Sequence, residues 1–242
     1  GKHVFVEKPL ALTGEQLDRV EAHWRRNLAQ DRPCHLMVGF NRRFAPQVQT
    51  LRALLDAVAD PKSFIVTVNA GALPGDHWTR DQDVGGGRIL GEACHFIDLM
   101  RYLAGAEIIS VQSRGMGPTA NGDGTEDNAT VTLGFADGSM GTVHYLANGS
   151  SRFPKERVDV FAAGGTLQLD NFRTLRGFGW PGFKRHRLWR QDKGQRACAA
   201  AFLKALQDGA ESPIPADQLF EVSRATIEAA QQLRTQQGMH WL

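Results

Sequence analysis
Four short stretches carry side chains able to move a proton or grip oxygen-rich ligands. The first is Glu7-Lys8-Pro9, which follows the apolar run Val4-Phe5-Val6. Proline lacks the amide hydrogen a sheet needs and biases the residue before it toward extended backbone, so Lys8 projects in a set direction from a strand's end. Burial lowers a lysine's pKa toward the working pH, and its ammonium also donates to alcohol or ribose oxygens. On local sequence alone, a solvated strand-end lysine is the commoner case. The second stretch is Asn41-Arg42-Arg43, whose amide and guanidinium donors suit hydroxyl, carboxylate or phosphate oxygens. Adjacent arginines point different ways, so at most one reaches a given ligand.

The third stretch runs from Gly85-Gly86-Gly87 through Arg88 and Glu92 to His95. On a helix, Glu92 and His95 share a face, where a carboxylate can orient an imidazole. Histidine is the side chain best matched to proton transfer near neutral pH, and the glycines would let backbone approach a flat ligand closely. The ordinary alternative is a hydrogen-bonded histidine beside the core. The fourth stretch, residues 172–196, interleaves Phe, Trp, Arg and Lys, which can stack bases and neutralise phosphates. A formal net charge of only +2 argues against a nucleic-acid partner, so this run reads as a hairpin whose basic side chains face water or a partner subunit.

The elements that must position these groups follow from periodicity. Val4 to Val6 form a strand stopping by Lys8. Thr13-Gly14-Glu15-Gln16 has capping-box spacing ahead of a helix carrying Leu17, Val20 and Trp24, which ends near Asp31-Arg32-Pro33. His35 to Phe40 is a second strand, so Asn41 to Arg43 fall at a strand's carboxyl end, where open α/β sheets bind ligands. A helix starts around Pro46, a strand covers Phe64 to Asn69, and an aperiodic loop follows, GALPGDHWTRDQDVGGG, long enough to be functional. A helix is expected through Ile89 to Leu103. From about 106 to 190 strand follows strand as an antiparallel meander, with turns at Asp137-Gly138 and Gly164-Gly165. Two helices close the chain, one presenting Ala199, Phe202, Leu203 and Leu206, the other Leu219, Val222, Ile227, Ala230 and Leu233.

The fold class expected is α+β, an open and mostly antiparallel sheet with helices on one face. Its other face is either solvated or a homo-oligomer interface. With 242 residues, 42% of them hydrophobic, the chain can bury a sizeable core. Cys34, Cys94 and Cys198 are odd in number and lack CxxC spacing, so neither a disulfide framework nor a zinc site is expected, and a cytoplasmic setting fits. No apolar run approaches the roughly 18 residues of a membrane span. No G-x-G-x-x-G leads from a strand into a helix, and Gly85 to Gly91 has the wrong spacing, so the dinucleotide-binding fingerprint is not present in these residues.

Taken in order, GKHVFVEKPLALT, VGFNRRFAP, GDHWTRD, GGGRILGEACHFIDLMRYLAG and DKGQR resemble the glucose-fructose oxidoreductase, inositol dehydrogenase and MocA family along nearly the whole chain. The likeness is strongest to a subgroup acting in polysaccharide biosynthesis. It implies a dinucleotide-binding domain of Rossmann type, of which residues 1–40 would be the last strands and helix, and an α+β substrate and oligomerisation domain over 41–242. It implies NAD or NADP as cofactor, with Glu7, Lys8, Pro9 and Arg43 near it and a cis peptide before Pro9. Lys8 and His95 would be catalytic; many family members carry Asp four residues before the histidine, where this chain has Gly91, so either Glu92 joins them in that acid's place or the substrate is gripped differently. Asn41, Arg42, His77, Trp78 and Arg88 would meet a carbohydrate substrate.

The expectation is therefore hydride transfer between a nicotinamide and a sugar, nucleotide-sugar or cyclitol hydroxyl, with weak cofactor affinity and little activity in the 242 residues alone, which carry no dinucleotide-binding fingerprint running from a strand into a helix. The alternative is a non-catalytic sugar-binding or assembly module. Neither a nucleic acid nor a membrane is an expected partner.

Overall fold
Short β-branched and aromatic runs form most of the strands. The computed structural model describes residues 1–30, 34–74, 76–81, 83–117 and 127–236. The proposed helix end at Asp31-Arg32-Pro33 lies outside them. β1 (Val4–Val6) and β2 (Leu36–Val38) pair in parallel, Val4 with Leu36 and Val6 with Val38, joined through α1 (Gly14–Leu28). Thr13 caps α1, its hydroxyl accepting from the Gln16 amide at 3.2 Å, while Gln16 accepts from the Leu12 amide at 2.9 Å. The peptide between Lys8 and Pro9 is cis, as the resemblance implied.

β2 leads through a 3-10 turn, Asn41–Phe44, into α2 (Pro46–Leu55), with proline in the first helical turn, where a missing amide costs nothing. β3 (Ser63–Asn69) follows, and then a π-helical turn, Ile89–Ala93, that runs directly into α3 (Cys94–Ala104). Gly105 ends α3 in the left-handed conformation, φ 74°. The later strands are β4 (Ile108–Gly115), β5 (Asn128–Phe135), β6 (Met140–Leu146), β7 (Glu156–Ala162), β8 (Gly165–Asp170), β9 (Thr174–Phe178) and β10 (Arg185–Arg187), followed by α4 (Gln195–Asp208) and α5 (Ala216–Gln236).

The large sheet runs β10-β9-β8-β7-β3-β6-β5-β4. The expected meander is therefore interrupted: β3 inserts between β6 and β7, parallel to the first and antiparallel to the second. Its alternation explains the placement, since Phe64, Val66 and Val68 add to the buried face formed by Val131, Leu133, Val143, Val158, Val160 and Leu167. Helices α2, α3 and α5 cover that face. The β7-β8 loop is Ala163-Gly164, both at positive φ, one residue earlier than expected, because Gly165 already pairs with Ala162. In α4 the buried side is Cys198, Phe202 and Ala205; Ala199 and Leu203 face outward, a shift of the helical face from the one expected.

The opposite sheet face carries polar ladders, including Thr130 with His144 at 3.1 Å and Asp159 with Gln168 at 2.9 Å, between exposed Ile65, Met140, Phe161 and Phe178. Edge strand β4 is covered by α5: the Gln232 side chain accepts from the Ser113 amide at 2.7 Å and donates to the Val111 carbonyl at 3.0 Å. No helix among the described residues is long and apolar enough to cross a membrane.

Candidate active site
Lys8 leaves the end of β1 and its ammonium donates to the carbonyl of Gly91, inside the π turn that opens α3. Turns of this kind recur at functional sites because they present backbone groups that a regular helix would use internally. Gly91 sits against the carbonyl of Gly85, 3.7 Å from where a Cβ on residue 91 would lie. Gly85 in turn presses on the backbone of Trp78 and Thr79, where any side chain would collide at 2.5–2.6 Å. The glycine run thus admits a close approach of protein backbone; the flat ligand expected there is not what Gly85 accommodates.

His95 is in the first turn of α3, 7% exposed and edge-on to Phe40 with ring centres 6.2 Å apart. Burial, then the charges of Arg42, Lys8 and Lys193, hold its pKa well below the usual histidine value, so the imidazole is neutral near pH 7. Its Nδ1 is buried without a hydrogen-bond partner.

The Asn41–Phe44 turn sends its side chains to different places. Asn41 donates to the Lys193 carbonyl at 2.6 Å. Arg42 lies over the Phe96 ring at 4.8 Å and donates to Glu156 at 2.7 Å. Glu156, at the start of β7 and 2% exposed, also meets the Lys193 ammonium at 2.5 Å. Burial pushes the Glu156 carboxyl up, but Arg42 and Lys193 together outweigh it and hold the group below the usual glutamate value. Gly194, φ 84°, lets this loop touch the turn: a Cβ there would fall 2.4 Å from the Asn41 carbonyl oxygen.

Three expectations fail on geometry. Arg43 was expected at a cofactor, yet it turns into the core, its Nε donating to both carboxylate oxygens of fully buried Asp98 at 2.8 and 2.9 Å and its Nη1 to Gln218 at 2.7 Å. Arg88, expected at substrate, is 2% exposed and committed to the Gly71 carbonyl at 2.6 Å and the Tyr145 ring at 5.2 Å. Glu92 does not orient His95; it accepts from the Tyr145 hydroxyl at 2.7 Å and lies 3.6 Å from Arg88. The π turn is the cause, since its wider pitch breaks the three-residue spacing that would put Glu92 and His95 on one face. Glu7 is exposed, its carboxylate beside Gly39. His77 stacks on Trp78 with centres 6.0 Å apart, and Trp78 is 62% exposed; Gly75, upstream in the same loop, lies outside the described residues.

Lys8, Asn41, Arg42 and His95 thus gather between the end of β1, the turn after β2 and the start of α3. Glu156 and Lys193 join them without having been singled out. Lys193 had a signal, its place in the DKGQR motif; Glu156 had none, since a glutamate among charged residues at a strand's start reads as solvated.

The family model for the GFO/IDH/MocA C-terminal domain matches residues 48–168. Over 177 residues the chain is 29% identical to the myo-inositol 2-dehydrogenase of Thermotoga maritima, covering 71% of this chain and 50% of that protein. It is 30% identical to the inositol 2-dehydrogenase of Rhizobium meliloti over 181 residues, 72% of this chain and 52% of that one. The chain therefore spans about half the length of these curated relatives. A levoglucosan dehydrogenase solved with NADH and levoglucosan superposes with a TM-score of 0.79 at 21% identity, over 96% of this chain and 72% of that one, which shows a shared fold.

Proposed function
Since the chain belongs to the GFO/IDH/MocA family, we propose that it is part of an oxidoreductase moving a hydride between a nicotinamide dinucleotide, NAD or NADP, and a hydroxyl of a sugar, nucleotide sugar or cyclitol. The observation that carries this reading is the Lys8 ammonium anchored on the Gly91 carbonyl beside a buried, neutral His95. The dinucleotide supplies the redox chemistry when bound. The protein's own groups then do three things. The His95 imidazole, neutral at working pH, accepts the proton of the reacting hydroxyl. Lys8 donates to that oxygen and stabilises the negative charge growing on it. Asn41 meets the remaining hydroxyls, Arg42 adds its positive field to the substrate site, and exposed Trp78 offers a flat face for the ring.

Residues 1–40 read as the closing strands and helix of a Rossmann-type domain, with Glu7, Lys8 and Pro9 at the cofactor's edge, and 41–242 as the substrate domain. The relatives' printed substrates, inositols and levoglucosan, support a polyhydroxy ring as ligand. A place in polysaccharide biosynthesis is the finer form of this reading. Free Cys94 and Cys198, both buried and with thiols pushed up to about 12 chiefly by burial, accord with a cytoplasmic enzyme. The open sheet face, with Ile65, Phe161 and Phe178 exposed, is the surface for a homo-oligomer.

The test is substitution. In a form of the protein that carries the dinucleotide-binding half, Lys8→Met and His95→Asn should each lower kcat/KM by about 100- to 10,000-fold with unfolding temperature nearly unchanged. Activity within twofold of the parent, as an order of magnitude, would remove both residues from the chemistry. The 242 residues alone should bind NAD(H) and NADP(H) weakly; tight binding in calorimetry would overturn that expectation. The second reading, a non-catalytic sugar-binding module, would bind a cyclitol yet give no NADH in any longer form of the protein.

A further inference from the structure
The charges about His95 do not balance. Lys8, Arg42 and Lys193 are the charged groups that act on its imidazole, and all three are cations. One carboxylate, Glu156, serves two of them, at 2.7 Å from Arg42 and 2.5 Å from Lys193. Lys8 has a carbonyl as its hydrogen-bond acceptor and no ion pair among the described residues. The other acids nearby are spent: Asp98 on Arg43, Glu92 on Tyr145 and Arg88, and Asp192 on the Gly194 amide. Glu7 is exposed and lies against Gly39. Two positive charges are left facing a partly buried site, where attraction is stronger than in water.

Residue 91 itself has space for a side chain. Gly91 is buried, yet a Cβ placed on it meets only the Gly85 carbonyl oxygen, at an ordinary contact distance of 3.7 Å. Residue 91 is also the residue whose carbonyl holds the Lys8 ammonium. The His95 Nδ1 is buried and without a hydrogen-bond partner, and Lys8 is among the charges acting on its ring.

We infer that the substrate is an anionic polyhydroxy compound, a sugar acid or a sugar phosphate, whose carboxylate or phosphate seats beside Gly91 against Lys8, with Arg42 and Lys193 behind it. The anion supplies the counter-charge the protein omits, and the hydroxyl next to it is then held at His95. Arg42 and Lys193 are already hydrogen-bonded to Glu156, so they act through their field, and Lys8 is the direct contact. The inference rests on the oxidoreductase reading only for the hydroxyl's fate; the seat for the anion stands on the charges alone.

Calorimetric titration of the protein with D-glucuronate, D-glucose 6-phosphate and D-glucose tests it. At least one of the two anions should bind about tenfold or more tighter than D-glucose, and the tighter one identifies carboxylate or phosphate as the source. Gly91→Asp places an acid beside Lys8 and should bring that preference to within about twofold, whereas Gly91→Asn, equal in size and uncharged, should keep most of it. D-glucose binding as well as both anions overturns the inference, as does no binding of either anion. Equal loss in the Asp and Asn variants overturns it too, since bulk and not charge would then be responsible. Absence of NADH formation with a bound anion would instead sink the oxidoreductase reading and leave the affinity order standing.

Discussion

Arg42 and Arg43 leave the same 3-10 turn and end in opposite electrostatic settings. Arg43 enters a balanced pocket: one carboxylate to itself, the Gln218 oxygen, and the Tyr102 ring 5.3 Å away. Arg42 enters an unbalanced one, sharing Glu156 with Lys193 beside a neutral histidine. A matched buried pair holds the fold in one arrangement, while an unmatched cluster keeps a field that acts on whatever enters. The turn's backbone sorts two identical side chains into these two uses.

The largest effect should come from unbalancing the balanced side. Asp98→Ala strands the Arg43 guanidinium in the core and should cost about 3–5 kcal/mol in urea unfolding. A loss below about 1 kcal/mol would show that Arg43 finds water, and the contrast between the two arginines would collapse. Next is Gly194→Ala, which cannot keep φ 84° without strain and would drive a methyl into the Asn41 carbonyl. The expected loss is about 2–3 kcal/mol by thermal unfolding, because this contact anchors Lys193 to the turn. Glu156→Gln keeps the shape and removes the one carboxylate of the unbalanced side. It should cost about 2 kcal/mol, less than Asp98→Ala, because the Arg42 and Lys193 side chains are 11% and 17% exposed and water relieves them. An equal cost for the two changes would mean both clusters are purely structural.

The smallest effect is in pH, and it isolates His95. In the unfolded chain this imidazole titrates near 6.5, while the folded chain keeps it neutral to much lower pH. As pH falls through 6.5 the unfolded state takes up a proton the native state refuses, so stability present above that pH is lost below it. The slope is at most about 1.4 kcal/mol per pH unit. His95→Gln should flatten it in unfolding measured between about pH 5.5 and 7.5. A smaller slope of the same sign remains from His35, whose pKa is lowered by burial and by His3. Glu156 acts in a lower window: its carboxyl is held below 4.5, so the stability it adds is present above that value and is lost as pH falls through its folded pKa.

Much of the fold was legible because it depends on neighbours in sequence. Thr13 and Gln16 cap α1 by a rule spanning three residues. Val131, Leu133 and Phe135 alternate with Thr130, Thr132 and Gly134, and that alternation alone tells buried from outward. What stayed hidden depends on distant pairing. Nothing in Ser63 to Asn69 says that it enters the sheet between β6 and β7, since its alternation would suit any central position. Likewise, a helical reading of residues 89–103 was sound in outline but missed the π turn, and with it the separation of Glu92 from His95.

The site divides the same way. Lys8 and His95 were singled out through the order of motifs along the chain and the family resemblance it carries; on local sequence alone they read as a strand-end lysine and a histidine beside the core. The net charge around them was not, because the groups involved come from β1, the turn after β2, β7 and the loop before α4. The sequence by itself determined which side chains were available, the strand ends that carry them and the α+β class. Only the tertiary structure decided that Glu156 is buried between Arg42 and Lys193, that Arg43 and Arg88 belong to the core, and that Lys8 reaches Gly91. The physical reason is that capping and alternation act over a few residues, whereas ion pairing and desolvation act over a few ångströms, whatever the separation along the chain.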